Sequence, residues 1–452
     1  MDPVFDAQYL PMKDRFFSDQ GTQIAVAYTP AGEVDYIYAV GQVLVANTDD
    51  NIDRLWRTLD EPPPREEVSP RKVGGDLVVY SLKDLGAERY TVPEFLDRTQ
   101  KRLGKGYRAE RTGDPVATPV HVLHTAKVCA AAEPAPPGGS PPLPWPPVQG
   151  NRGDQNRVRL VIADTGLLEE FLPPDPSVPR DPDVQRDDVD QYPWLEGVDG
   201  DRHADQLRRI LPRGLPGVPE EGKWRSIPFE AGHGTFVAGV ARSMAPRASV
   251  YVGNQFTMTG GALEYDVTGA LAELIRVQSP HVVNVPAGGY TRGDLPLLSF
   301  SDFGRRHEGI TLVAAAGNDS TNRRFWPAAF NWAIGVGALG ADLENLAYHS
   351  NYGDWVNVYA LGEGLVNAYA TGVYTYIEPP KRPTQQVFHG MARWDGTSFA
   401  SALVTGLIAA ELARTGVSAL TAADIARVAR EVIESARPLP GVGRPVLRRD
   451  IG

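Results

Sequence analysis

The chain has 452 residues, 42% hydrophobic and 22% charged, with a formal net charge of −11. That length exceeds one ordinary domain and allows a substantial core. The acidic balance argues against a phosphate-binding surface, hence against nucleic acid as a partner. The single cysteine, Cys129, excludes an intrachain disulfide, and no apolar run approaches the ~18 residues of a membrane span. Met1 to Gln20 is mixed polar and acidic, without a basic and then apolar leader pattern, so cytoplasmic residence is the expectation.

In chain order, Tyr36 to Val45 is β-branched and aromatic and predicts a strand. Ile52, Leu55, Trp56 and Leu59 recur at helical spacing, and Leu77 to Leu82 predicts a second strand. Thr91-Val92-Pro93-Glu94 is a capping-box start to a helix running to about Leu103. Thr118 to Thr125 predicts a last strand, so residues 1–128 read as a small split-βαβ domain of α+β type. Glu133 to Gly150 is too rich in proline for a helix or central strand. Residues 129–155 therefore read as a semi-rigid linker, with a ligand for a proline-binding module as the lesser alternative.

Residues 156–452 alternate strands with helices. Strands are expected at Val158–Ala163, Ser249–Val252, His281–Val285, Ile310–Ala315 and Trp332–Val336. Helices are expected at Thr235–Met244, Ala262–Val277, Leu297–His307, Ser398–Leu412 and Thr421–Ser435. That alternation predicts an α/β fold, a doubly wound parallel sheet with flanking helices.

Four segments carry chemistry. Asp164 follows the apolar strand in Ala-Asp-Thr-Gly, where the rim of a parallel sheet holds a carboxylate rigidly. It can orient an imidazole; the alternative is an ordinary Asp-Thr-Gly turn. His233 lies between two glycines at a helix start, open to a partner or simply a capping loop residue. Asn318 follows an apolar strand and Ala316-Gly317, where its NH₂ can face an oxyanion or merely close a turn. Ser398, in Gly-Thr-Ser-Phe-Ala, opens a helix whose dipole favours developing negative charge, or serves as a cap. Separately each signal is weak; together they form an acid, a base, an amide donor and a hydroxyl nucleophile.

In the order Asp, His, Asn, Ser, these motifs resemble the subtilisin-like serine proteases (subtilases, peptidase S8) across about Arg157 to Arg437. Val283-Asn284 with Gly288-Gly289, Trp326-Pro327-Ala328, Ser350-Asn351-Tyr352-Gly353 and Leu361-Gly362 also match. The alanine-, arginine- and proline-rich composition is similar to intracellular members from high-GC, actinobacterial-type organisms. The resemblance implies a serine endopeptidase acting on protein or peptide substrates, with Asp164, His233 and Ser398 as catalytic triad and Asn318 in the oxyanion hole. It implies no cofactor for catalysis and raises structural calcium as an expectation.

The chain departs from the pattern in two places. Ser401-Ala402 stands where the nucleophile motif usually ends in proline. Pro286-Ala287-Gly288-Gly289 replaces the usual Ser-Leu-Gly-Gly, and Pro286 removes a backbone donor from the wall expected to bind substrate. Pro286, Ala287, Gly288, Ala315, Ala316, Gly317 and Phe325 are the expected substrate-binding residues. Phe325 at the pocket base favours a small or medium apolar residue before the cleaved bond, whereas Asp319 would favour a basic one.

Asp164 and His233 are separated by 233 − 164 = 69 residues, through an insertion at residues 171–229. Asp181, Asp183, Asp187, Asp188, Asp190, Asp199 and Asp201 lie within it, without EF-hand spacing, so a solvated acidic loop competes with a calcium site. No catalytic metal ligand set is expected. The N-terminal domain is similar in order and size to a subtilase propeptide and is expected either to bind the catalytic groove in cis or to be an accessory domain. Two alternatives stay open: a catalytically silent protease-like binding module, and a peptide ligase or cyclase using the same residues. A serine–carboxyl peptidase would need Glu in place of His233.

Overall fold

The computed structural model describes residues 3–110, 112–125, 133–138, 157–168, 171, 195, 197–202, 224–257, 259–377, 384–416, 420–438 and 445–446. Most of the 129–155 linker and most of the 171–229 insertion, with Asp181, Asp183, Asp187, Asp188 and Asp190, lie outside the described residues.

The N-terminal part contains α1 (Pro3–Gln20), β1 (Ile24–Tyr28), β2 (Val34–Ala46), α2 (Asp49–Trp56), β3 (Arg71–Gly74), β4 (Leu77–Ser81), α3 (Val92–Leu103) and β5 (Ala117–His124). Its antiparallel sheet alternates as a two-sided sheet must. Tyr36, Tyr38, Val43 and Val45 of β2 face Leu55 and Trp56 of α2 and Phe95 and Leu96 of α3. Ile37, Ala39 and Leu44 face the other way, onto Phe5, Met12 and Phe16 of α1. The predicted capping box of α3 is present, with Thr91 and Glu94 each bonding the other's backbone N–H. Helix α1 was not foreseen. Its buried apolar residues, Phe5, Met12 and Phe16, are interrupted by Pro11 and by a buried Gln8, so its sequence reads as irregular.

The larger part contains β6 (Arg159–Asp164), β7 (Val198–Gly200), β8 (Ser226–Ile227), α4 (His233–Met244), β9 (Ser249–Asn254), β10 (Gly261–Leu263), α5 (Glu264–Gln278) and β11 (Val282–Val285). It continues through α6 (Leu298–Arg306), β12 (Thr311–Ala315), β13 (Ala333–Leu339), β14 (Val358–Leu361), β15 (Leu365–Thr375), β16 (Gln385–Trp394), α7 (Thr397–Thr415), α8 (Ala422–Glu434), β17 (Arg437–Pro438) and β18 (Pro445–Val446). The main sheet runs β17-β18-β14-β13-β12-β11-β6-β9-β7 and is parallel except at β17–β18. Leu160, Ile162, Val282 and Val313 turn to the face covered by α4, α7 and α8, among Phe236, Phe399, Leu403 and Val428. Val161, Ala163, Val283 and Leu312 turn to the face covered by α5 and α6, among Val267, Leu271, Phe300 and Phe303. Helices on both faces make the sheet doubly wound, as the alternation predicts.

Two local expectations need correction. The helix expected from Ala262 begins only at Glu264, because Gly261–Leu263 pairs as a strand with the edge of β5. The long antiparallel hairpin β15–β16 was not foreseen either; its small third strand, β8, is the C-terminal end of the 171–229 insertion. Asp199 and Asp201, the described members of that insertion, bond within the fold. Asp201 accepts from Tyr251 Oη at 2.6 Å and from the Asn254 N–H at 3.1 Å, and Asp199 accepts from Gly200 N–H. Among the described residues, no group of His, Cys, Asp and Glu is arranged to hold a metal ion, and no helix is long and apolar enough to cross a membrane.

Candidate active site

Asp164 closes β6, Asn318 follows β12, and His233 and Ser398 sit in the first turns of α4 and α7. All therefore collect at the carboxyl edge of the parallel sheet, where open α/β sheets place their ligands. His233 Nδ1 lies 2.9 Å from both Asp164 carboxylate oxygens. Asp164 is fully buried, and its Oδ1 also accepts from the Thr165 N–H at 2.7 Å. An Nδ1–H held by a carboxylate leaves Nε2 as the lone-pair nitrogen. Burial alone would push the His233 pKa down; the Asp164 charge and hydrogen bond, with Glu230, outweigh it, and the pKa rises above its ordinary value. Phe399 and Trp394 pack on the ring, with centroids 5.4 and 5.5 Å away.

The Ser398 hydroxyl donates to the Pro286 carbonyl at 2.9 Å, and so is engaged with the groove wall. Its helix is anchored beneath the sheet: Ser401 Oγ donates to Ser398 O, and Asn284 Nδ2 donates to both Ser401 Oγ and Thr405 Oγ1 at 3.0 Å. Ser401, one of the residues that departs from the family motif, thus bonds to Asn284 of β11. Asn318 Oδ1 accepts from both the N–H and the Oγ1 of Thr397 at 2.8 Å, which fixes the amide and turns its NH₂ to the opposite side. Gly317 has φ +91°, and a Cβ there would lie 2.6 Å from Asn351 Nδ2, so the loop presenting Asn318 excludes a side chain at that position. Asn351, fully buried, braces the same loop by donating to Ala316 O and accepting from the Asp319 and Thr321 N–H groups.

Pro286, Ala287, Ala315, Gly317 and Phe325 line one pocket with Asn318, Thr397 and Ser398. Gly288 lies beside it, and Ala316 is buried behind it. Phe325 is 4% exposed and packs edge-on against Tyr290, centroids 5.2 Å apart. Asp319 accepts from Tyr290 Oη at 2.7 Å and does not line this pocket.

The pocket's other wall comes from the N-terminal domain. His124 N–H donates to Gly288 O at 2.9 Å, and Gly288 N–H donates back to His124 O at 3.1 Å. Val122 to His124 pairs on its other edge with β10, and Thr125 N–H donates to Gly260 O. The end of β5 is thus the middle strand of a three-stranded antiparallel arrangement in the groove, and the His124 ring packs edge-on at 6.0 Å from Phe325. Deeper in the contact, Glu264 is fully buried. It accepts from the His121 N–H and Nδ1 on one oxygen and from the Ser299 N–H and Oγ on the other. Ion pairs Asp35–Arg323 (2.7 Å), Asp97–Arg292 (2.5 Å) and Asp114–Arg305 (2.6 Å) also join the N-terminal part to the larger part.

Glu230, Thr397 and Asn351 escaped the sequence reading, whereas a segment near His124 reaching the groove is what the propeptide-like expectation for the N-terminal domain entails. Thr397 lay inside the quoted motif and Asn351 inside the Ser-Asn-Tyr-Gly match, but neither role was visible without the pairing of distant loops.

A model of the subtilase family matches residues 214–443, a stretch holding His233, Asn318 and Ser398 but not Asp164. A thermophilic serine proteinase of Bacillus sp. (strain AK1) is 30% identical over 188 residues, 39% of this chain and 41% of that protein. Halolysin of Haloferax mediterranei is 27% identical over 190 residues, 40% of this chain and 33% of that protein. The chain thus spans well under half the length of these relatives. The crystal structure of fervidolysin from Fervidobacterium pennivorans shares the fold at a TM-score of 0.51 and 16% identity, covering 91% of this chain and 60% of that one. Since the family model matches 230 of the 452 residues (443 − 214 + 1), the chain belongs to the subtilase family.

Proposed function

We propose that this chain is a serine endopeptidase whose N-terminal domain occupies its own substrate groove. The observation that carries the first half is the bidentate contact of His233 Nδ1 with buried Asp164, on the same sheet edge as Ser398 at the head of α7. In this reading the Ser398 hydroxyl leaves the Pro286 carbonyl for His233 Nε2, which takes its proton as Oγ attacks a peptide carbonyl. Asn318 Nδ2 and backbone N–H groups stabilise the oxyanion, imidazolium protonates the leaving amine, and water repeats the sequence on the acyl-enzyme. Every proton in this scheme is moved by a group of the chain itself. A substrate strand pairs with Gly288 and Gly260–Leu263 as residues 122–125 do. Ala287, Ala315, Gly317 and Phe325 offer the residue before the cleaved bond an apolar surface.

The two-sided pairing of His124 and Thr125 supports the second half, since the position a substrate needs is filled by the chain itself. The test is active-site labelling with a fluorophosphonate, together with product analysis on an unfolded protein substrate. Labelling lost in Ser398→Ala, with new amino termini released, is expected. Labelling without cleavage, or joined rather than hydrolysed ends, would overturn the endopeptidase reading.

A further inference from the structure

The turn that delivers His233 also delivers Glu230. His233 N–H donates to Glu230 O, and the Glu230 side chain is 0% exposed. One carboxylate oxygen, Oε2, accepts from Thr125 Oγ1 at 3.2 Å; the other, Oε1, is buried and has no hydrogen-bond partner among the described residues. Gly260 makes the approach possible. A Cβ there would lie 2.5 Å from Thr125 Oγ1 and 2.9 Å from Glu230 Cγ, and its φ of +72° disfavours any side chain.

Register states which substrate residue this is. His124 is antiparallel to Gly288; in a substrate strand that keeps this register, the residue after the His124 position falls opposite Ala287 and the following one opposite Pro286. The Pro286 carbonyl holds the Ser398 hydroxyl. A strand in this register therefore offers Ser398 the carbonyl of the residue opposite Pro286, and the Thr125 position is the one just before it.

We propose that Glu230 is a specificity-determining residue that reads the second residue before the cleaved bond and selects a small, hydroxyl-bearing side chain there. This rests on the endopeptidase reading above. A buried carboxyl left without a donor is costly, so an isosteric Val in place of Thr strands Glu230 and is disfavoured. Burial pushes the Glu230 carboxyl up to about 8, against the lowering influence of His233 and of the Thr125 hydrogen bond and with the raising influence of Asp164 and Glu133. A group that resists ionisation suits a neutral hydroxyl better than an ammonium.

The probe is a quenched fluorogenic peptide copying residues 120–130, with Thr, Ser, Val or Lys at position 125, presented to the full chain. Thr and Ser peptides should exceed the Val peptide about tenfold in kcat/KM. The preference should persist in Glu230→Gln, whose amide oxygen still accepts, and vanish in Glu230→Leu. Comparing peptides within one variant cancels the occupancy of the groove by the chain's own segment. Equal cleavage of Thr and Val peptides, or fastest cleavage of the Lys peptide, overturns the proposal. Peptide affinities for Ser398→Ala, read by fluorescence anisotropy, separate the two readings. A Thr-over-Val gap there without wild-type hydrolysis sinks the endopeptidase reading and keeps the Glu230 assignment; hydrolysis without a gap does the reverse.

Discussion

Glu264→Gln should open the groove. In the docked arrangement both Glu264 oxygens are taken, each by one backbone N–H and one side-chain donor, His121 on one side and Ser299 on the other. Glutamine has one acceptor oxygen, so its NH₂ must face one of these pairs. The Ser299 hydroxyl or the His121 ring can turn to accept, but a backbone N–H cannot, and one is left buried and unpaired. That costs about 1–3 kcal/mol, with further loss because the surviving bonds are no longer charge-assisted. Once the N-terminal domain leaves, the amide oxygen can face Ser299 while the NH₂ meets water. The whole penalty, about 2–3 kcal/mol, therefore falls on docking, and the undocked fraction should rise about 30- to 150-fold. The assay is the rate at which a fluorophosphonate modifies Ser398 in the full chain, which scales with the undocked fraction if the groove must empty first. A lowered Tm with an unchanged labelling rate would refute the reasoning, because the carboxylate would then stabilise the fold without gating the site.

Asp164→Asn should leave the fold intact by circular dichroism and lower kcat by about 10⁴, since the amide no longer holds His233 in the required tautomer. Asn318→Leu should cost about 10²–10³ in kcat with little change in KM, the usual cost of one oxyanion donor in this family. The base must be neutral to accept the Ser398 proton, and the His233 pKa is raised. Hence kcat/KM should climb with pH through a midpoint above the usual histidine value of 6.5, and a midpoint below 6.5 would contradict the Asp164 pairing. Glu230 titrates near 8 in the folded chain but near 4.5 when unfolded. Between those values only the folded state holds the proton, so this group's contribution to stability is full below 4.5 and fades as pH rises through 8. Urea midpoints measured across that window should fall with pH less steeply in Glu230→Gln than in the wild type.

The sheet was legible because its signals are local. Val158–Ala163, His281–Val285 and Ile310–Ala315 are short apolar runs followed by polar or glycine-containing turns, the pattern expected of strands buried on both faces of a parallel sheet. Capping boxes at Thr91 and Thr421 likewise mark helix starts through residues only three apart. Helix α1 hides for the converse reason. Its stability comes from Phe5, Met12 and Phe16 packing on β2, Leu263 and Leu298, contacts that its own interrupted pattern does not announce. The hairpin β15–β16 is buried on both faces along most of β15, so it lacks the period-two alternation that exposes a hairpin in sequence.

The same division runs through the site. Asp164, His233, Asn318 and Ser398 stand out because each sits inside a short motif at an element boundary, where main-chain geometry restricts the residues that fit. What those groups face is set by register between segments far apart in the chain. Thr125 meets Glu230 across 105 positions and His121 meets Glu264 across 143. A one-residue slip of β5 against Gly288 would turn the Thr125 side chain to the opposite face of the strand and leave Glu230 without its donor. No composition or spacing within Thr118–Thr125 encodes that choice. It is fixed by Gly260 and Gly289, where a Cβ would crowd Thr125 on one edge of the strand and Val122 and Leu123 on the other, and by the buried Glu264, which accepts from the His121 N–H and ring together. The strand that completes the N-terminal sheet is thereby also the strand that fills the groove, so undocking exposes the site only by breaking sheet pairing. Opening is for that reason expected to be a concerted loss of β5–β10 pairing, visible as joint loss of amide-exchange protection at Leu123, Ala262 and Gly288. Protection lost at Gly288 alone would mean that the end of β5 frays from the groove while the sheet stays closed.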